Sequence, residues 1–192
     1  MKERGMIFNG EMVRALLDGR KTQTRRPIKW KQTRFTEIGE REDGSIWPWS
    51  EDAEHACYFW HPCPFGAVGD RVWVRETWAR YNIDQNSHDI AYRATTPEDW
   101  PEEGRWRPSI RMPRWASRIL LEITDVRVER LQSITLGDIC KEVGCGLYDF
   151  RPATYGLQVW EELWKSIYGA ENWQANPWVW VIEFKRVEGG AA

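Results

Sequence analysis

What the chain lacks narrows its class first. No stretch approaches the ~18–20 apolar residues of a membrane span, and the opening MKERGMIFNGEM has no apolar block of a secretory leader. A soluble, cytoplasmic protein with no membrane partner is therefore expected. Four cysteines in 192 residues do not suggest a disulfide framework. There is no phosphate-loop glycine motif and no HExxH pair, so nucleotide hydrolysis by those routes has no support. No cofactor is expected. The net charge is only −2, which excludes a uniformly basic coat for nucleic acid but allows a local basic patch.

What is abundant is tryptophan. The 14 indoles are scattered rather than periodic, which argues against a repeat array. Most suit core and rim packing, and a minority suits base stacking. Charge is segregated along the chain. Gly19 to Thr36 carries seven basic residues and no acid, and Glu37 to Glu54 then carries seven acids against Arg41 alone. A second acid-free run holds Arg105, Arg107, Arg111, Arg114 and Arg118, interleaved with Trp106 and Trp115. Arginine grips phosphate bidentately and stacks on flat rings. The two runs read either as solvated loops or as one RNA-binding face whose affinity would fall steeply with salt.

Local patterns place the elements. Met6–Phe8 reads as a short strand. Glu11–Asp18 has helical composition, with Met12, Ala15 and Leu16 on one face and Gly19 as its terminator. Residues 21–26 suit a strand ended by Pro27. Arg71–Glu76 alternates cleanly, and Ala91–Ala94 suits a further strand. Ile119–Arg130 is the longest strand signal, with a bulge expected within it, and Trp178–Phe184 is a final strand. Thr135-x-x-Asp138 opens a short helix that stops at Gly144. Tyr155–Tyr168 is amphipathic, with Leu157, Trp160, Leu163, Trp164 and Ile167 assigned to the core. The expectation is one α+β domain over residues 1–188, built as a small twisted β-barrel with short flanking helices. Two long loop insertions, about 28–63 and 80–114, and a disordered tail at 189–192 complete it.

The segment Gly19-Arg20-Lys21-Thr22-Gln23-Thr24-Arg25-Arg26 is the richest in chemistry. A threonine hydroxyl needs an adjacent base to act as a nucleophile. A lysine serves if burial or neighbouring cations pull its pKa well below the usual ~10.4. On residues alone, a plain basic strand is the competing reading. Glu76, at the end of VWVRE, is a further candidate acid, with Arg75 or Arg71 as its expected partner if it is structural. His55, Cys57, His61 and Cys63 are weak candidates for a metal site, because their spacing matches no common zinc finger or ribbon.

The order GRKTQTRR, then GDRVWVRETW, then a terminal WVWVIEF resembles the ASCH family, part of the PUA-like superfamily. The match spans about residues 5–27, 64–79, 115–145 and 176–187. CPFGAVGDRVWVRETW, PRWASRI and NPWVWVIEF are most similar to a prophage-associated ASCH group. The resemblance implies a PUA-like barrel and a nucleoside or RNA ligand. It also implies, by likeness to amidohydrolases that remove acyl groups from the exocyclic amine of cytidine, a Thr–Lys–Glu constellation at Thr24, Lys21 and Glu142. Arg20, Thr22, Arg25, Arg26, Glu76, Arg114 and Trp115 are the candidate ligand-binding residues around it. A non-catalytic RNA- or nucleobase-binding module and a ribonuclease are the alternatives, and no protein partner is indicated.

Overall fold

The computed structural model describes residues 1–29, 36–52, 57–80, 89–102, 104–146, 149 and 153–187. Along them run β1 (Glu3–Ile7), α1 (Gly10–Leu17), β2 (Gln23–Pro27), β3 (Thr36–Glu40), β4 (Ile46–Asp52), β5 (Cys57–Trp60), β6 (Arg71–Arg75), β7 (Trp78–Arg80), β8 (Ile90–Tyr92), β9 (Leu120–Arg130), α2 (Leu136–Val143), α3 (Ala153–Tyr168), α4 (Ala170–Gln174) and β10 (Trp178–Arg186). The chain is mixed α+β. Its described strands form open sheets in the orders β1-β6-β9-β10-β2, β3-β4-β5 and β7-β8. No described helix is long and apolar enough to cross a membrane.

The large sheet owes its layering to β10. Val179 and Val181 pack on one face with Ile139, Trp160 and Trp164 beneath the helices. Trp180, Ile182 and Phe184 pack on the other with Phe8, Leu16 and Leu121. A strand buried on both faces loses its alternation, hence the unbroken apolar run WVWVI. In β9, Asp125 pairs with Glu183 and Ile123 with Phe184, so Thr124 is the extra residue of a bulge. β1 and β2 are the two edges of this sheet. Even so, Arg26 Nη2 in β2 donates to the carbonyl of Ile7 in β1 at 2.6 Å. The sheet therefore curls until its edges meet through a side chain.

Three expectations need correction. The insertion at 28–63 is not simply a loop, because its described part forms the antiparallel meander β3-β4-β5. Gly44, at φ 79°, turns β3 into β4. Trp47 then packs edge-on to Trp180 at 5.0 Å, which anchors the meander to the main core. The insertion at 80–114 likewise is not all loop: it contributes β8, close to the strand expected at 91–94, which pairs with β7 just ahead of it, and Arg107 bridges to Trp78 of β7. In α3 the buried stripe is Gly156, Trp160 and Trp164, while Leu157 and Ile167 stand 47% and 44% exposed. Two indoles one turn apart already fill the contact with the sheet, so the inward face is narrower than the apolar pattern suggests.

Helix ends set the site's position. Asn9 caps α1 by accepting the Met12 N–H at 2.8 Å, and Thr135 caps α2 by accepting the Asp138 N–H at 3.1 Å. Gly144 ends α2 at φ 81°. A Cβ there would lie 2.8 Å from the Ala15 Cβ. Gly144→Ala therefore combines a left-handed strain of ~1–2 kcal/mol with a collision between α2 and α1. Its thermal unfolding should fall clearly below wild type by circular dichroism. An unchanged Tm would contradict this packing.

Candidate functional site

The path from α1 into β2 buries a lysine. Gly19, at φ 71°, follows α1, and the Arg20 and Lys21 amides both donate to the Ala15 carbonyl, at 2.8 and 3.0 Å. That turn drives the Lys21 side chain inward, with none of it exposed. Its Nζ donates to the carbonyl of Gln23 at 2.7 Å and to that of Glu142, and lies 3.6 Å from Glu142 Oε1. Burial pulls its pKa down to about 8, against an opposing pull from the Glu142 charge.

Glu142 comes from the last turn of α2 and is 2% exposed. β2 is an edge strand, so part of its backbone faces away from the ladder. Glu142 Oε1 accepts the outward Arg25 N–H at 2.9 Å, and the Lys141 carbonyl accepts the Thr22 N–H at 3.1 Å. α2 thereby seals the edge that a further strand would otherwise cover. Glu142 Oε2 and Trp160 Nε1 are buried without a hydrogen-bond partner. Both residues, with Thr24, Arg25, Arg26 and Tyr168, line a cavity of about 10 Å³ roofed by α3. That is the space of about one water. Thr24 is itself 2% exposed. Glu142 thus stands 3.6 Å from Lys21 and shares the small cavity with Thr24, whereas Lys21 does not line that cavity and makes no hydrogen bond to Thr24.

Behind them lies a charge network that the sequence did not suggest. Arg25 is fully buried and lies 2.9 Å from Glu129, 3.7 Å from Asp138 and 3.9 Å from Glu142. Gln23, with its amide nitrogen toward Asp138, accepts from Arg25 and Arg127 at 3.1 and 3.0 Å. The Arg25 guanidinium is therefore taken up by internal acids.

Other candidates fall elsewhere. Arg20 is half exposed, paired with Asp18 at 2.7 Å, and also donates to the Gly144 carbonyl. Thr22 is exposed. Glu76 is buried in a separate cluster, held bidentately by Arg118 at 2.9 and 3.0 Å rather than by Arg75 or Arg71. Arg118 in turn lies over the Tyr92 ring at 3.9 Å. Arg114 pairs with Glu3 at 3.0 Å, and the half-exposed Trp115 packs edge-on to Trp78. Of the second basic run, Arg114 and Arg118 are thus paired with acids and Arg107 lies over the Trp78 ring, while Arg105 and Arg111 are exposed. Lys31 and Arg34 of the first run lie outside the described residues.

For the metal candidates, His55 and the Cys57 side chain also lie outside the described residues. His61 shares a 2.9 Å hydrogen bond with Ser50, and burial pushes the Cys63 thiol up to about 11. Among the described residues no group of three or more potential ligands gathers.

A second, larger hollow of about 960 Å³ adjoins the small cavity, and Arg26 and Tyr168 line both. Arg75, Lys29, Phe59 and Trp180 also line it. Of its cationic lining the sequence points to Arg26 alone, whereas Arg75 reads there only as a partner for Glu76. Comparison with models of protein families, with curated proteins and with solved structures gave no match to this chain.

Proposed function

We propose that the chain is a nucleoside-directed amidohydrolase that removes an acyl group from the exocyclic amine of a cytidine-like substrate. The observation that carries this reading is the buried Lys21–Glu142 pair, 3.6 Å apart, whose carboxylate lines a water-sized cavity together with Thr24. A lysine pulled down to about pH 8 is neutral often enough to take a proton from the attacking group. That group, the Thr24 hydroxyl or a water held by Glu142 Oε2 and Trp160 Nε1, adds to the acyl carbon. The C–N bond breaks, and the proton passes from Lys21 Nζ by way of Glu142 to the leaving amine. Where Thr24 attacks, water then frees the acyl group as its acid. The base itself would occupy the larger cleft and present its amide at Tyr168, on the boundary of the two hollows.

We further infer a PUA-like barrel. The segments that carry the ASCH resemblance build all five strands of the large sheet together with α1 and α2. The Arg26–Ile7 bond between its edges fits a partly closed barrel.

Turnover of an N4-acylcytidine tests the chemistry. Lys21 must be neutral to act as a base, so kcat/KM should climb with pH and level off above about 8. A flat profile between pH 6 and 9.5 would contradict this role. Thr24→Val separates the nucleophiles in the same assay, since lost activity assigns the hydroxyl and retained activity assigns water.

A non-catalytic nucleobase-binding role is the second reading. It is favoured by the contrast between a cleft of about 960 Å³ and a cavity of about 10 Å³. Tight binding of cytidine without turnover of any acylated form would select it.

A further inference from the structure

We propose that the larger cleft is a phosphate-anchoring site, so that its ligand is a nucleoside monophosphate rather than a bare nucleoside. Two guanidiniums line it, and their Nη groups hold neutral oxygens only: Arg26 donates to the Ile7 carbonyl at 2.6 Å and to the Tyr168 hydroxyl at 3.4 Å, and Arg75 donates to the Ile110 carbonyl. Nε of Arg26 and Nε of Arg75 are both buried with no hydrogen-bond partner. Among the described residues neither arginine is paired with a carboxylate, and no Asp or Glu lines the cleft. Arg25, Arg114, Arg118 and Arg127 by contrast face acids at 3.0 Å or less, although Nε of Arg25 and of Arg71 is likewise buried without a partner. Lys29 adds a third positive group at an exposed position.

Buried donors without partners are costly, and a doubly charged oxyanion satisfies them with charge-assisted bonds. The other walls suit the rest of a nucleotide. Phe59, 58% exposed, offers aromatic surface, and about 960 Å³ lies at the upper end of the ~300–1,000 Å³ typical of small-molecule sites. The anion site also explains the acid-free lining, since a carboxylate beside Arg26 or Arg75 would compete with phosphate. Gly5 contributes as well. A Cβ at this position would come within 2.8 Å of Arg75 Cδ, so its absence lets the Arg75 stem run along β1 into the cleft.

Identifying this ligand with the substrate rests on the amidohydrolase reading, but the binding itself does not. The test is isothermal titration of the full chain at low salt with cytidine, cytidine 5′-monophosphate, inorganic phosphate and a short oligocytidylate, none of which carries an acyl group. The monophosphate should bind about tenfold or more tightly than cytidine. Arg75→Gln should erase that preference while leaving cytidine affinity unchanged, and Lys29→Gln, at an exposed position that does not endanger folding, should reduce it. Equal affinities for cytidine and its monophosphate, or a preference that survives Arg75→Gln in a folded protein, would overturn the proposal. So would inorganic phosphate binding as tightly as the monophosphate, or binding of the oligonucleotide alone. Selectivity for the monophosphate without turnover of any acylated form removes the hydrolase reading alone. Turnover of a free acylated nucleoside with no phosphate preference removes this one.

Discussion

Replacing Lys21 by alanine or Glu142 by glutamine should lower turnover of an acylated cytidine ~10²–10⁴-fold, the usual contribution of a positioned acid or base. The reason is positional. Lys21 Nζ is held by two carbonyls and stands 3.6 Å from Glu142, while Glu142 Oε1 is fixed by the Arg25 N–H at 2.9 Å. Neither group can be replaced by solvent, because both are 2% exposed. Glutamine keeps the oxygen that accepts the Arg25 N–H but cannot carry a proton between Nζ and the leaving amine. The loss should therefore fall on kcat, with KM nearly unchanged, because the larger cleft binds the substrate. Circular dichroism on each variant separates lost chemistry from lost folding. A Glu142→Gln enzyme that is folded and fully active would remove the carboxylate from the mechanism.

Arg25→Met should cost ~3–5 kcal/mol, because it removes the central cation of a buried network and leaves its acids behind. Glu129, Asp138 and Glu142 lie 2.9, 3.7 and 3.9 Å from the guanidinium. Of these, Glu142 is as buried as Arg25 itself and would keep Lys21 as its nearby cation. For a chain of this size the loss corresponds to a Tm roughly 6–20 °C lower. Lys185→Ala is the contrasting case. Its pair with Glu122 at 2.9 Å is mostly in solvent, 64% and 30% exposed, so water and salt screen it and the change should stay within ~1 kcal/mol. Scanning calorimetry on the two variants decides the comparison. Equal Tm shifts would mean that burial does not set the value of these ion pairs.

Elements governed by neighbours in sequence were the legible ones. Strand β6, with its alternation, and the caps Thr135 and Gly144 are local features, and they stand where the pattern placed them or within a residue or two. The meander β3-β4-β5 was hidden because Pro48 and the surrounding charges read as loop chemistry, whereas its anchor is a contact between Trp47 and Trp180 across the fold. Ionic partners were harder still. Arg25 reaches Glu142 and Glu129 over separations of 117 and 104 residues, and Glu76 finds Arg118 at 42. Composition announces that such charges exist but not which acid each will meet. The place of Arg75 beside Arg26 in the larger cleft was hidden for the same reason, since the two come from strands that are not neighbours in the sheet.

The most direct test is one incubation of the full-length protein with N4-acetylcytidine at pH 8, enzyme in excess, followed by chromatography for cytidine and acetate. The account predicts that both products appear in equal amounts with wild type and are not detectable over the same interval with Glu142→Gln. Intact N4-acetylcytidine after incubation with folded wild type, or equal product from the two proteins, would contradict it.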